Sequence, residues 1–308
     1  MSTDEFLLPA PERVAHRNVK GLIDPDSVVV IGANARRSTV VAEAIAGRNK
    51  AFLVHPSGDS ILGEDVYTCV AELPEKPECA FMLVGHEVVL ELVREALEFG
   101  IRAFVIPGLG TEAGPRSAEV VAQVIELADS YDAAILGPNC MGMAVPNGGS
   151  LYVSSVPKSF RRGHVSVIAQ SGSIADAMLN CGPRIGFRAV FSTGSEGNRD
   201  TADLLMGLVD DDETKAIGLF VETVRRPEAF ADALRACAEA GKPVVCMKVG
   251  RSRIAAQTAL AHTGAMVGSS IAFTNFVHHH GGLEVTDTST VMEALEILGQ
   301  PTWPSGIR

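Results

Sequence analysis

The chain has 308 residues, of which 46% are hydrophobic, 20% are charged and 5% are aromatic, and its formal net charge is −11 at pH 7. This acidic balance argues against a nucleic-acid groove or an anionic membrane surface as the partner. No apolar run reaches the roughly 18–20 residues of a membrane span, no signal peptide is recognisable, and the six cysteines form no CxxC pair. We therefore expect a cytoplasmic protein with reduced cysteines.

The first half of the chain alternates short apolar runs with helical periodicity. Strands are predicted over residues 27–32, 51–56, 79–85, 103–108 and 133–137. Helices are predicted over residues 40–45, 87–99 and 118–131, and Gly100 provides a stop signal for the second of them. Strands that alternate with helices indicate βαβ units and a parallel sheet.

A turn-rich segment, residues 146–150, interrupts this alternation, which then starts again. Strands are predicted over residues 164–169, 188–193, 216–221 and 243–249. Helices are predicted from about residue 173, from about residue 200, and over residues 227–240. At roughly 100–200 residues per domain, we predict an α/β protein with two domains, residues 1–150 and 151–308.

Glycines and polar residues follow several of these strands, where ligands bind in open α/β sheets. The segment 32–38, Gly-Ala-Asn-Ala-Arg-Arg-Ser, lacks the GxGxxG spacing of dinucleotide-binding proteins. Its Arg36 and Arg37 either pair with phosphates or lie on the solvated surface. The segment 137–142, Gly-Pro-Asn-Cys-Met-Gly, offers the Asn139 amide. Cys140 has no basic neighbour in the sequence, and we expect it to pack rather than to act as a nucleophile.

One further segment at a strand end points to phosphate chemistry. Gln-Ser-Gly-Ser at 170–173 follows a strand and begins a helix, so that free amides and two hydroxyls form a candidate anion site. Alternatively, Ser171 or Ser173 is only an N-cap, and both interpretations can hold together. No GxSxG motif supports a serine hydrolase.

A histidine in a loop of small residues is the candidate nucleophile. His262 lies in Ala-His-Thr-Gly-Ala, and a neutral imidazole attacks phosphoryl groups near neutral pH. Glu222 follows the strand 216–221 and either orients this imidazole or faces solvent. The three consecutive histidines 278–280 predict a helix end before Gly281 rather than a metal site, because adjacent helical side chains diverge by about 100°.

The order of these motifs resembles the α subunit of the succinyl-CoA synthetase superfamily, and most closely the NDP-forming acyl-CoA synthetases (acetate–CoA ligase, ADP-forming). The resemblance covers roughly residues 20–298. Its motifs are the segments 27–33, 137–142, 170–173, 202–205, 211–215, 247–252 and 262–265, together with Glu222.

The resemblance implies a Rossmann-like domain that binds coenzyme A, followed by a flavodoxin-like ligase domain. It implies that His262 becomes phosphohistidine and that Glu222 holds it. The acyl-phosphate site would comprise Ser171, Gly172, Ser173, Asn139 and Gly264. The coenzyme A site would comprise Gly32, Ala33, Asn34, Arg36, His55, Pro56, Val84, Pro107, Gly108, Asn139 and Cys140.

The implied reaction converts a small carboxylic acid, CoA and ATP into acyl-CoA, ADP and phosphate. ATP and Mg²⁺ would bind an ATP-grasp β subunit in a hetero-oligomer, because no segment of this chain reads as an ATP-grasp domain. Two departures from the family pattern are Ala261, where Ser is usual, and the segment 195–198 beside the expected substrate pocket. The alternative is a CoA-binding regulatory protein of the same fold without phosphoryl transfer; the missing GxGxxG argues against an oxidoreductase.

Overall fold

The computed structural model describes residues 17–48, 50–110, 114–249 and 270–302, and these residues form two sheets flanked by helices. Apolar, largely β-branched runs form the central strands, and every residue of Ser27–Ile31 and of Ala216–Val221 is buried. Strands that are buried on both faces are typical of parallel sheets covered by helices. None of the helices in the described ranges is long and apolar enough to cross a membrane.

The first sheet has six parallel strands in the order β3-β2-β1-β4-β5-β6. The strands are β1 Ser27–Ile31, β2 Lys50–Val54, β3 Val66–Tyr67, β4 Cys79–Met82, β5 Ala103–Val105 and β6 Ala134–Leu136. The helices of this half are α1 Lys20–Ile23, α2 Ser38–Ile45, α3 Val89–Phe99 and α4 Pro115–Ser130. This strand order is that of a Rossmann sheet, as the resemblance implied.

The second sheet has seven strands in the order β13-β12-β11-β9-β10-β7-β8. The strands are β7 Gly142–Ala144, β8 Leu151–Tyr152, β9 Arg161–Ala169, β10 Gly186–Ser192, β11 Ala216–Val221, β12 Val244–Lys248 and β13 Leu283–Val285. The helices are α5 Gly172–Leu179, α6 Thr201–Val209, α7 Pro227–Glu239, α8 Ser270–His279 and α9 Thr288–Leu298. Its five parallel strands follow the flavodoxin-like order, which confirms the predicted fold class.

Several predicted boundaries are wrong by a few residues. Strand β5 ends at Val105, before Pro107, whose nitrogen has no hydrogen to donate to a ladder. Helix α4 begins at Pro115 rather than at residue 118, because proline is well suited to the first helical position. Strands β9 and β10 begin earlier than predicted, at Arg161 and Gly186. The predicted helix end at the three histidines is confirmed, since α8 ends at His279.

The short antiparallel strands β7 and β8 pair with the second sheet through β10. Neither strand was predicted, because segments of two or three residues carry no measurable periodicity. They lie on both sides of residue 150, so the domain boundary at residues 150 and 151 stays a prediction.

The two halves share one apolar core and several polar contacts. The largest buried cluster includes Val28 and Phe81 from the first half and Leu205 and Leu219 from the second. In addition, the Ile135 amide donates to Asn198 Oδ1 at 2.8 Å. These contacts join β6 of the first sheet to the segment that follows β10 of the second.

Candidate functional site

The loop after β6 lies directly against the loop after β10. The Ser195 amide donates to the Pro138 carbonyl at 2.9 Å, and the Gly197 amide donates to the Gly137 carbonyl at 3.0 Å. Gly194 has φ +57°, and a Cβ at this position would lie 2.2 Å from the Asn139 carbonyl oxygen. Only glycine permits this approach, so the structure brings the predicted Asn139 turn to the edge of the second sheet.

Asn139 and Cys140 differ in what they expose. Asn139 is exposed with φ 56°, and its backbone N–H donates to the Gly108 carbonyl at 2.7 Å. Cys140 is buried, and its Sγ lies 3.6 Å from the Ile106 carbonyl oxygen. Burial raises the pKa of the Cys140 thiol to about 12, which keeps it protonated at neutral pH. This agrees with the predicted packing role, and it leaves only the backbone of Cys140 for contact with a ligand.

The other candidate CoA residues lie on loops after β1, β2, β4 and β5, at one edge of the first sheet. At the end of β1, Gly32 has φ +89°, and a Cβ there would lie 2.6 Å from the Leu83 carbonyl oxygen. Asn34 accepts from the Arg36 amide at 3.1 Å, and its side chain donates to the Gly32 carbonyl at 3.0 Å. His55 Nδ1 lies 2.9 Å from Ser57 Oγ. The remaining candidates at this edge are buried Ala33, half-buried Val84 and Pro107, and exposed Arg36, Pro56 and Gly108.

Residues Ser171–Ser173, here called the serine turn, begin helix α5 after strand β9. Ser171 occupies the N-cap position, but its side chain makes no capping hydrogen bond. Instead, Ser171 Oγ lies 2.9 Å from Ser173 Oγ. The capping alternative therefore does not describe Ser171, and the amides of the first turn remain free of its hydroxyl. On the other side of the turn, Met141 packs closely against Gly172.

Gln170, immediately before this turn, joins three strand ends. Its Oε1 accepts from the amides of Glu222 at 2.7 Å and Thr223 at 2.9 Å. Its Nε2 donates to the Thr223 carbonyl at 2.8 Å and to Glu196 Oε2 at 3.0 Å. All four hydrogen-bonding positions of the amide are thus used. The sequence placed Gln170 in a motif without giving it a role.

Glu196 belongs to the segment 195–198, which the sequence indicated only as a departure from the family pattern. It is 5% exposed and has φ 49°. Its Oε1 accepts from Thr193 Oγ1 at 3.0 Å, and from Thr201 Oγ1 at 2.5 Å and the Thr201 amide at 3.1 Å. Burial raises the pKa of Glu196 to about 7 although these hydrogen bonds lower it. The signal in the sequence was a charged residue just after a buried strand.

Glu222 lies at the end of β11 and is half-buried. Its amide is held by Gln170, and its carbonyl accepts from Lys248 Nζ. Burial lowers the pKa of Lys248, and the nearby Glu222 carboxylate opposes this shift. The structure thus places Glu222 beside the serine turn, while His262 and Gly264 lie outside the described residues. Within the described ranges, no group of three or more His, Cys, Asp or Glu side chains is placed to hold a metal ion.

Comparison with protein families matches both halves of the chain. Residues 26–146 match the family described as CoA binding domain, and residues 162–298 match the family described as succinyl-CoA ligase like flavodoxin domain. Each half of the chain thus belongs to the domain family that matches it. The Rossmann sheet is therefore the CoA-binding domain, and the flavodoxin-like sheet is the ligase domain.

Relatives of these two domains include known ligases. The chain is 34% identical over 275 residues to trans-feruloyl-CoA synthase FCS1 from an unknown prokaryotic organism, covering 83% of this chain and 38% of that protein. It is 28% identical over 302 residues to the α subunit of acetate–CoA ligase [ADP-forming] I from Pyrococcus furiosus, covering 94% of this chain and 65% of that subunit. The chain thus spans less than two thirds of the length of either relative.

A solved structure shows the same two-domain arrangement. The dinucleotide-forming acetyl-coenzyme A synthetase 1 of Ca. Korarchaeum cryptofilum, in complex with phosphate and ADP, matches with a TM-score of 0.84 at 24% identity. The match covers 94% of this chain and 64% of that one. At this identity the likeness shows that the fold is shared.

Proposed function

We propose that this chain is the α subunit, or the equivalent part, of an NDP-forming acyl-CoA synthetase. The observation that carries the proposal is the meeting of a CoA-binding domain with a ligase-domain edge that combines the serine turn and Glu222. The relative that is named as an α subunit of an ADP-forming ligase supports the same assignment.

The proposed reaction has three transfers. A nitrogen of the His262 imidazole attacks the γ-phosphorus of ATP, and ADP leaves. The carboxylate oxygen of the acid then attacks the phosphorus of phosphohistidine, which forms an acyl phosphate and frees the imidazole. Finally, the CoA thiol loses its proton and attacks the acyl carbon, and phosphate leaves as the thioester forms. Each covalent intermediate divides one difficult condensation into easier steps.

The described residues supply binding and orientation for these steps. The first-turn amides of α5 point along a helix axis whose N-terminus favours anions, and we assign them, with Ser171 and Ser173, to the phosphoryl group. Glu222 would orient His262 by accepting a hydrogen bond from one ring nitrogen, which leaves the other nitrogen to react. Asn139 is exposed where the two domains meet, so we assign it to both the CoA and the acyl-phosphate sites.

The nucleotide would be supplied by a partner. We propose an ATP-grasp β subunit that holds ATP and Mg²⁺ in a cytoplasmic hetero-oligomer. The relatives differ in the acid that their names state, which includes acetate, 4-hydroxybutyrate and a feruloyl group. The acid is therefore sought among small aliphatic and aromatic carboxylates.

The test combines the purified chain with a candidate ATP-grasp subunit, γ-labelled ATP, CoA and a panel of these acids. The proposal expects label on this chain and an acid-dependent CoA thioester. If the chain binds CoA but accepts no label and yields no thioester with any partner, the alternative of a CoA-binding regulatory protein is correct.

A further inference from the structure

Two polar side chains at the site have no part in the reaction above, although both are buried. Gln170 is 8% exposed and Glu196 is 5% exposed. A direct hydrogen bond of 3.0 Å joins Gln170 Nε2 to Glu196 Oε2. Burying a carboxylate and an amide together is unfavourable unless every polar atom finds a partner, which is the case here.

The hydrogen bonds fix which way round the Gln170 amide lies. Its oxygen faces two backbone N–H groups, and its nitrogen faces one carbonyl and one carboxylate. The reverse orientation would place NH₂ against two donors and oxygen against two acceptors. The bond to Glu196 Oε2 therefore helps to hold the amide in the single orientation that binds residues 222 and 223.

The proposed function needs Glu222 at a defined position, and both backbone polar groups of this residue are hydrogen-bonded to side chains. Gln170 holds its amide, and Lys248 Nζ holds its carbonyl. Gln170 also directly precedes the serine turn, so one side chain connects the predicted phosphoryl site with the segment that carries Glu222. Because β9 and β11 are adjacent strands, this connection spans only one strand spacing.

We propose that Gln170 and Glu196 are positioning residues: the Glu196 carboxylate orients the Gln170 amide, and this amide fixes the backbone of Glu222 beside the Ser171–Ser173 turn. The catalytic part of this inference rests on the proposed function, in which Glu222 orients His262. The positional part rests only on the hydrogen bonds described above.

Amide hydrogen exchange tests the positional part without any reaction. In Gln170→Ala the amides of Glu222 and Thr223 lose their acceptor, so their exchange should accelerate by about tenfold or more. Glu196→Gln preserves side-chain volume and should give a smaller increase at the same two amides. Ser166→Ala is the matched control, because Ser166 is buried in β9, the strand that precedes Gln170, and its Oγ lies 2.7 Å from Thr214 Oγ1, away from residues 222 and 223. It should leave both amides unchanged.

Steady-state kinetics with the ATP-grasp partner tests the catalytic part. Gln170→Ala and Glu196→Gln should each lower kcat by about tenfold or more. The KM for CoA should stay within about twofold, because the proposed CoA contacts lie on the other domain. Ser166→Ala should keep the wild-type kcat. Where Gln170→Ala fails to fold, Glu196→Gln provides both measurements.

The outcomes separate the two proposals. Unchanged exchange at residues 222 and 223 in a folded Gln170→Ala or, failing that, Glu196→Gln variant overturns the positional inference. An equal loss of kcat in Ser166→Ala overturns its catalytic part, because the effect would then be a general loss of packing. A wild-type complex that forms no thioester overturns the proposed function but leaves the exchange result standing.

Discussion

At the level of single residues, the Glu196 carboxyl group is almost completely buried. Its Oε2 lies 3.7 Å from Arg225 Nε, and Asp200 acts with burial to disfavour the ionised form. Burial is the largest of these effects and raises the pKa of Glu196 from an ordinary 4.5 to about 7. Between these two values the folded protein binds more protons than the unfolded chain.

The stability of the protein should therefore fall as the pH rises from about 4.5 to 7 and then level off, as far as Glu196 is concerned. Ionisation of this one group lowers the free energy of unfolding by roughly 3 kcal/mol across that window. Glu196→Gln removes the titration and should remove the slope. The measurement is the free energy of urea unfolding of both proteins at pH 5, 6, 7 and 8. A difference between them that does not change with pH would contradict the assigned pKa.

Glu222→Gln tests whether charge, and not only shape, matters at the end of β11. The glutamine amide keeps the volume of the side chain but lacks the negative charge that would orient the His262 imidazole. Labelling of the chain should therefore slow by about 10²–10⁴-fold. The melting temperature should change little, because Glu222 is only half-buried. Rates of labelling by γ-labelled ATP with the partner present, compared beside melting curves, provide the check. Labelling at the wild-type rate would assign Glu222 to a solvent-facing role.

At the scale of elements, the turn after β10 depends on one glycine. In Gly194→Ala the new Cβ would meet the Asn139 carbonyl oxygen, whereas Gly241→Ala, at a similar φ of +69°, would meet no atom within 4 Å. Both variants share the roughly 1 kcal/mol of left-handed backbone strain. The free energy of unfolding should fall by roughly 2 kcal/mol more in Gly194→Ala than in Gly241→Ala, because the backbone must move. Urea unfolding of both variants measures this difference. Equal losses would mean that the two loops are not in close contact.

The same elements show what the sequence could and could not predict. Alternation of buried strands and amphipathic helices predicted both sheets, because a parallel sheet needs continuous apolar runs such as Ser27–Ile31 and Ala216–Val221. The positions of Ser171 and Glu222 followed from their places at strand ends. The role of Gln170 did not follow, because its partners lie 26 and about 52 residues away and only the order of strands brings them together.

At the scale of the whole molecule, buried polar contacts join the two domains. The Arg199 side chain is 1% exposed and reaches Asp132 at 3.1 Å and the Asn18 carbonyl at 3.2 Å. Arg199→Ala should lower the free energy of unfolding by roughly 3 kcal/mol, since it leaves a cavity and removes a donor from the buried Asn198 Oδ1. Arg162→Ala is the exposed control: Arg162 pairs with Glu213 at 2.6 Å, and the change should cost less than about 1 kcal/mol. Equal costs, measured by urea unfolding, would show that Arg199 does not connect the domains.

In the proposed function, this chain carries the phosphoryl group between nucleotide and acid on His262. The most direct measurement is transfer of label from γ-labelled ATP to the purified chain in the presence of an ATP-grasp partner, followed by a chase with acid and CoA. We predict that the wild-type chain is labelled, that acid and CoA remove the label as the thioester forms, and that His262→Ala accepts no label while still binding CoA. Labelling of His262→Ala at the wild-type level would show that His262 does not carry the phosphoryl group.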